Sequence, residues 1–342
     1  MFRFIVVFWI SFVLVAGGLA LWVRSLSQSN EALREQLDEQ EAAVLRQAEM
    51  ISSLQAAEST LGMIAFLQGI QAELDGSTDH RLSIRSIEDI AALSKALGPY
   101  QYPAGDSLIN LPLSPERGQL LMALVHMDLD SADFMKIKAS ASFAFADLHE
   151  ADLQGTDLGG IDLNGAHLKK ANLRGCTFHK ATLVEAKLWN ADLSGADMRY
   201  ADFRRADLRW ALLTEANLHR TNVNGALFHA AKMDFADLRM ADVRWAKFVG
   251  TQLSYSDFEG TNLKGAALTR ANLSGARFCH ARFSRTALDE AVFHETEFDS
   301  ARIEDKNWFS ALAKSDVIGL SEHKELYEVA KDEEALFLVP RK

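Results

Sequence analysis

Apolar residues recur along this chain with three different periods, and each period predicts a different element. Residues 4–23, FIVVFWISFVLVAGGLALWV, form an uncharged run bounded by Arg3 and Arg24. Twenty residues rising 1.5 Å each match the hydrocarbon core of a bilayer. The run therefore predicts a transmembrane anchor over residues 1–24, with Phe4, Trp9, Leu14, Leu21 and Trp22 as its anchoring residues. A cleaved secretory signal competes with this reading, because Gly18-Leu19-Ala20 supplies small residues after a shorter apolar stretch. Trp22 and the continuation past Ala20 favour a retained anchor. The orientation taken has the N-terminus inside and the body of the chain periplasmic or otherwise extracytoplasmic.

From Asn30 the spacing changes to seven. Leu37, Val44 and Ile51 occupy one heptad position, and Leu33, Leu54 and Leu61 the complementary one. An amphipathic helix is predicted over 25–75, ending near Gly76-Ser77, and its stretch 30–61 is a candidate coiled coil. Gln40, Gln47 and Glu58 interrupt that seam. Residues 76–140 carry two further helical patterns, SIEDIAALSKAL and SPERGQLLMALV, around the loop GPYQYPAGDS. They read as a mixed helical linker and N-terminal cap, with Leu120, Leu121, Leu124 and Val125 set against the segment that begins at residue 141.

That segment has period five. Residues 141–305 divide without an insertion into 33 pentads, beginning ASFAF ADLHE ADLQG TDLGG. The third position is apolar in all 33 (18 Leu, 10 Phe, 2 Met, 2 Val and Ile303), and the first is Ala in 24. Neither a helix face nor a half-buried strand repeats every five residues, so the first and third residues must be the buried pair of a unit that turns a corner each time. Such a unit has no core of its own and must stack on copies of itself.

These pentads resemble the pentapeptide-repeat family, whose motif A(D/N)LXX stands here as Ala151-Asp152-Leu153-Gln154-Gly155 and Ala191-Asp192-Leu193-Ser194-Gly195. The resemblance covers 165 of 342 residues. It implies a mainly β fold, a right-handed quadrilateral β-helix of about eight coils with four pentads to a coil. At a strand spacing of roughly 4.8 Å the rod is about 40 Å long. Leu193, Phe258, Phe278 and Phe298 then belong to the interior, the three phenylalanines in one stack. Residues 306–342 are expected to close the last coil as a helical cap, through Trp308, Phe309, Leu312 and Tyr327.

With twenty residues to a coil, outward positions can be placed in columns. His179, Lys180, Arg199, Tyr200, His219, Arg220, Arg239 and Met240 make a basic stripe, which Asp197, Asp237 and Asp257 partly neutralise. Trp189 stands one coil from Arg209, a spacing that lets the guanidinium cover the indole. Trp189, Tyr200, Arg209, Trp210, Phe235, Met240, Trp245 and Tyr255 form the candidate partner surface, since the repeat asks for nothing apolar at its fourth and fifth positions.

Charge and chemistry narrow the function. Net charge is −11 overall, yet residues 141–305 hold 23 acidic against 20 basic residues. That near-neutral rod is neither the basic footprint of a nucleic-acid binder nor a strongly acidic surface. No HExxH, GxSxG or glycine-rich phosphate loop occurs, so no enzyme, cofactor or metal is expected. Cys176 points inward and Cys279 outward, about 25 Å apart, too far for a disulfide. The pattern points to a non-enzymatic, membrane-anchored scaffold with a single N-terminal span and a rigid surface for a protein partner. Self-association through helix 30–61 or the rod is the further partner expectation, and nucleic acid is not expected. Two alternatives stand beside it. One is the DNA mimicry of a type II topoisomerase's substrate that the resemblance implies; the other is a secreted or envelope structural protein or effector.

Overall fold

The computed structural model describes residues 61–100, 112–332 and 335–341, with the backbone of 103–104 and 107–108. The anchor residues Phe4, Trp9, Leu14, Leu21 and Trp22, and the seam from Leu33 to Leu54, lie outside the described residues. Among the described residues no helix is long and apolar enough to cross a membrane. The chain divides into two compact units, one of Met1–Ser59 with Gln101–Asn110, the other of Thr60–Tyr100 with Leu111–Lys342. Of the first, the described part is a short antiparallel pair, β1 (Pro103–Ala104) with β2 (Ser107–Leu108).

The second unit opens on a helix, α1, described over 61–76. Its buried residues are Met63, Ile70 and Leu74, whereas Leu61, expected on the heptad seam, is exposed. Helices α2 (Ile84–Ala96), α3 (Pro115–His126) and α4 (Ser131–Ser140) come next. Ser83 and Ser114 start α2 and α3 by accepting the N–H of Ser86 and Arg117 on their hydroxyls. Charges tie the helices together. The buried carboxylate of Asp133 takes hydrogen bonds from Arg81 (3.0 Å), Lys136 (2.9 Å) and the Leu82 N–H (3.1 Å), and Arg81 first of all holds it well below the usual carboxylate range. Arg117, also buried, donates to the carbonyls of Ser94 (2.7 Å) and Ala144 (2.6 Å), joining α2 and α3 to the first coil.

Helix α3 seats directly on that coil. Ser114 pairs with Ala146 in parallel, its N–H donating to Phe145 O (2.8 Å) and its carbonyl accepting from Asp147 N–H (3.1 Å). Gly118 meets the Asp147 carbonyl so closely that no Cβ would fit. Leu120, Leu121 and Leu124 are fully buried there, so the open end of the stack is paired and covered in one step.

The rod itself is a four-sided β-helical solenoid. Parallel bridges join residues twenty apart, from Asp147↔His167 to Arg282↔Arg302, which at five residues a side makes four sides to each coil. Third residues are all buried, and first residues are buried except Ala151, Thr156 and Thr286, which are intermediate; the rest are intermediate or exposed. The backbone of one pentad shows why five residues suffice. Leu153 N–H donates to Asn172 O (2.9 Å) and Gly155 N–H to Arg174 O (2.8 Å) one coil on, while Asn172 N–H donates back to Ala151 O (2.9 Å). Thr156 N–H closes the corner on Leu153 O (3.0 Å). The fourth N–H remains, and the second residue's side chain takes it, as in Asp157 Oδ1 to Gly159 N–H (2.8 Å) and Asp197 Oδ1 to Arg199 N–H (3.1 Å). Asp or Asn at that position is thus a local backbone cap.

Each corner needs a left-handed residue. Every fifth residue from Phe145 to Ser300 has φ between 51° and 71°, whether or not it is glycine. For a residue with a side chain that conformation costs about 1–2 kcal/mol, so packing around the corner must offset it. Inside, Phe258, Phe278 and Phe298 stack at 4.7 and 5.6 Å between centroids, and Phe228 stacks on Phe248 at 4.8 Å.

The far end differs from the all-helical closure expected for 306–342. Two short helices, α5 (Trp308–Leu312) and α6 (Leu320–Leu326), precede a hairpin of β4 (Tyr327–Asp332) and β5 (Ala335–Pro340). The last rod residues, Arg302–Ile303 (β3), pair with β5 antiparallel, giving the order β3-β5-β4. A β edge is satisfied best by another strand, which a helix cannot supply. His323 of α6 is 1% exposed and its Nε2–H donates to Phe293 O (2.6 Å). Burial pushes its pKa below the ordinary value of about 6.5; Glu322 opposes that shift and His294 adds to it. The unfolded chain therefore binds the proton more readily, and the cap is fully stable above about pH 6.5 and loses stability as pH falls below it. Melting temperature should decline between pH 7 and 5 in wild type, and His323→Gln should flatten that decline; an unchanged slope would remove His323 as its source.

Candidate interaction surface

The outward side chains are set by the corner geometry. A guanidinium at the fourth position of a pentad reaches the carboxylate two residues before it. Arg199 to Asp197 (2.6 Å), Arg209 to Asp207 (2.7 Å), Arg239 to Asp237 (2.7 Å) and Arg244 to Asp242 (2.6 Å) are each held through two guanidinium nitrogens, and Arg204 pairs likewise with Asp202. Arg199 and Arg239 thereby lower the carboxyl pKa of Asp197 and, against the opposing effect of burial, of Asp237. The basic stripe is largely neutralised within each pentad, and Lys180 and Arg220 remain as its cations without an acidic partner among the described residues.

The same pairing redirects Arg209. It lies with Asp207 and beside Trp210, 5.6 Å from that ring, and the cation over Trp189 is Lys169 at 4.5 Å. Trp189 is half-buried, edge-on to Trp210 at 5.7 Å, and its Nε1–H has no partner among the described residues. His229, one coil beyond Arg209 in the same column, has a pKa lowered by burial and then by Arg209.

The remaining candidates are corner residues. Tyr200, Trp210, Phe235, Met240, Trp245 and Tyr255 keep 46–57% of their surface exposed. Their inner faces are occupied: Trp245 lies on Gly265, Met240 on Gly260 and Tyr255 on Gly275, in each case where a Cβ would sit. Phe235 stacks on Tyr255 at 5.3 Å and 9°. Tyr200 meets His179 at 5.4 Å, His219 at 6.2 Å and Arg220 at 5.9 Å. The repeat thus does make use of large corner side chains, which cover the glycine corner one coil on. The glycines are the legible signal: Phe145/Gly165 and the three pairs above are each spaced by twenty.

These residues occupy all four corners. One face nevertheless has an aromatic at each of its edges: the pentads at 211, 231 and 251 run between the corner column of Trp210, Ala230 and Gly250 and that of Glu215, Phe235 and Tyr255, with Leu212 between them. A rigid wall with half-exposed rings on both margins is suited to burying a protein segment.

A cluster that sequence reasoning passed over lies on another part of the rod. Asp147, His149 and His167 converge where α3 meets the first coil. Asp147 and His167 share a column at a spacing of twenty, and that register was the signal available.

Comparison with known proteins locates the repeat. The family model described as pentapeptide repeats matches residues 141–179, 178–214, 211–248 and 246–285, in eight copies. No curated protein matches. Among solved structures, a pentapeptide repeat protein (Rfr23) of the cyanobacterium Cyanothece 51142 is 30% identical, over 27% of this chain and 64% of its own, with a TM-score of 0.27. The chain therefore spans less than two thirds of that protein. A pentapeptide repeat protein from the thylakoid lumen of Arabidopsis thaliana is 26% identical over 36% of this chain and 75% of its own, with a TM-score of 0.27. HetL of Nostoc, a pentapeptide repeat protein involved in heterocyst differentiation regulation, is 28% identical over 50% of this chain and 96% of its own, with a TM-score of 0.16.

Proposed function

Because residues 141–285 are pentapeptide repeats, whose first and third residues are taken by the interior, we propose that this chain is a non-enzymatic scaffold presenting the outside of its rod to a protein partner. The observation that carries this reading is the face between Trp210 and the Phe235–Tyr255 pair, rigid in its backbone and rimmed by half-exposed rings. Residues 1–24 anchor it in a membrane as a single span, with the rod on the extracytoplasmic side.

The alternative of DNA mimicry towards a type II topoisomerase needs free carboxylates on the exterior. Asp197, Asp202, Asp207, Asp237 and Asp242 are each covered by an arginine of their own pentad, which favours the scaffold. A secreted or envelope structural role becomes the better reading if residues 1–20 are cleaved, which the mass of the mature N-terminus decides. To test the surface, Trp210, Phe235 and Tyr255 are replaced together by Ser. The expected outcome is an unchanged circular-dichroism spectrum with loss of the species cross-linked to the wild-type rod in intact membranes. Identical cross-linked species and identical mass by light scattering would remove this face as the contact.

A further inference from the structure

Asp147, His149 and His167 have no part in the aromatic face; Asp147 is the ordinary cap of its own pentad, but the repeat does not ask for the two histidines. His167 is the single histidine among the 33 second positions, where the cap to the fourth N–H is ordinarily Asp or Asn. Both imidazoles turn the same atom towards the same oxygen: His149 Nδ1 lies 2.8 Å and His167 Nδ1 3.1 Å from Asp147 Oδ1. The rings are stacked, 5.8 Å apart and inclined by 27°.

We propose that these three side chains form a binding site for one divalent first-row transition-metal ion of the zinc type. The chemistry is that of two imidazole nitrogens and one carboxylate, a donor set suited to zinc, nickel or cobalt rather than to calcium or magnesium. The spacing agrees. Ligands about 2.0–2.2 Å from a metal are about 3 Å apart at right angles and about 3.4 Å apart in a tetrahedral site, so the 2.8 and 3.1 Å found here need open by only a few tenths of an ångström to admit zinc; all three donor atoms lie within 4.8 Å of one another. Three ligands on adjacent vertices leave the remaining positions to water, and the exposure is graded for that. The Asp147 side chain is 8% exposed, His167 26% and His149 59%, so the cluster is walled on the protein side and open on the other.

The ligands are also held before any ion arrives. Asp147 N–H donates to Ser114 O (3.1 Å), and His167 N–H to Ala146 O (2.9 Å), which fixes the two columns in register. His149 N–H donates to Asp147 Oδ1 (3.3 Å). Gly118 packs on the Asp147 carbonyl from behind. Binding moves each imidazole proton from Nδ1 to the outer Nε2 or into solvent and breaks no backbone hydrogen bond. The neighbouring cation Lys170 is held by Glu150 at 2.8 Å. A bound ion would link the first coil, through Asp147 and His149, to the second, through His167, at the seam where α3 is seated.

The test uses the purified full chain, stripped of metal, titrated with Zn2+ by calorimetry and with Co2+ by visible absorption. Saturation at one ion per chain is expected, with Co2+ giving d–d bands and Zn2+ raising the melting temperature. His149→Ala should bind at least tenfold more weakly while its metal-free melting curve stays at the wild-type position, because the side chain is mostly exposed. His167→Ala should weaken binding by a similar factor, and His280→Ala, on a distant coil, should not. Binding of Zn2+ by the His149→Ala/His167→Ala double variant equal to wild type, or no one-to-one saturation in wild type, would overturn the site.

Discussion

Leu193→Asp is expected to leave the repeat domain without a cooperative thermal transition. Leu193 is fully buried at a third position, with Leu173 and Leu213 one coil away on either side and its N–H donating to Leu212 O at 2.7 Å. A carboxylate there meets stacked leucines and no donor, a burial that costs several kcal/mol even if the group is neutralised. Domains of this kind are stable by only about 5–15 kcal/mol in total. In a solenoid each coil touches only its neighbours, so one failed coil separates the stack into two shorter ones, each with a new open end. Leu193→Ala is the graded form of the same experiment, expected to cost about 2–5 kcal/mol through lost burial and the cavity left behind. Circular-dichroism melts of both variants check this. A wild-type curve from Leu193→Asp would mean that the third position is not the interior.

The repeat was legible because one rule serves every coil: first and third residues in, fifth residue left-handed. Features set by competition between partners were less so. Arg209 was expected over Trp189, at a spacing of twenty, but Asp207 two residues away offers it two hydrogen bonds and no loop to close, and Lys169 covers the indole instead. The corner aromatics were legible as outward but not as covers for Gly260, Gly265 and Gly275, because a pattern of types does not show which side of a ring is occupied. Asp147, His149 and His167 look unrelated in sequence until the register of twenty sets the first and last side by side. In the C-terminal segment, nothing local separates YEVAKD and ALFLVP from the helices beside them; their strand character comes from the open β edge at Arg302–Ile303 that they pair with, a tertiary partner that local propensity does not contain.

That edge makes deletion of residues 306–342 the other change of large effect. The last coil ends in phenylalanines, and the tail covers them: Trp308 lies 5.6 Å from both Phe283 and Phe298, His323 5.3 Å from Phe298, and Tyr327 6.2 Å from Phe298. It also satisfies the exposed backbone, since Ser300 N–H donates to Leu338 O (2.8 Å), Leu338 N–H to Ala301 O (2.9 Å) and Phe298 N–H to the Tyr327 hydroxyl (3.2 Å). Trp308, Leu312, Leu320, Tyr327 and Leu338 are all buried in doing so. At roughly 1.5–3 kcal/mol for each large apolar side chain, the cap contributes on the scale of a whole domain's stability. Without it the rod presents a coil-shaped apolar surface and unpaired N–H and C=O groups, for which another truncated rod is the nearest match. The truncated chain should therefore elute as a dimer or aggregate, with mass by light scattering rising with concentration, and Trp308→Ser/Leu338→Ser in the full chain should shift it partway in the same direction. A monomeric truncation with the wild-type melting temperature would show that the last coil is stable uncovered, and that the hairpin serves something other than closure.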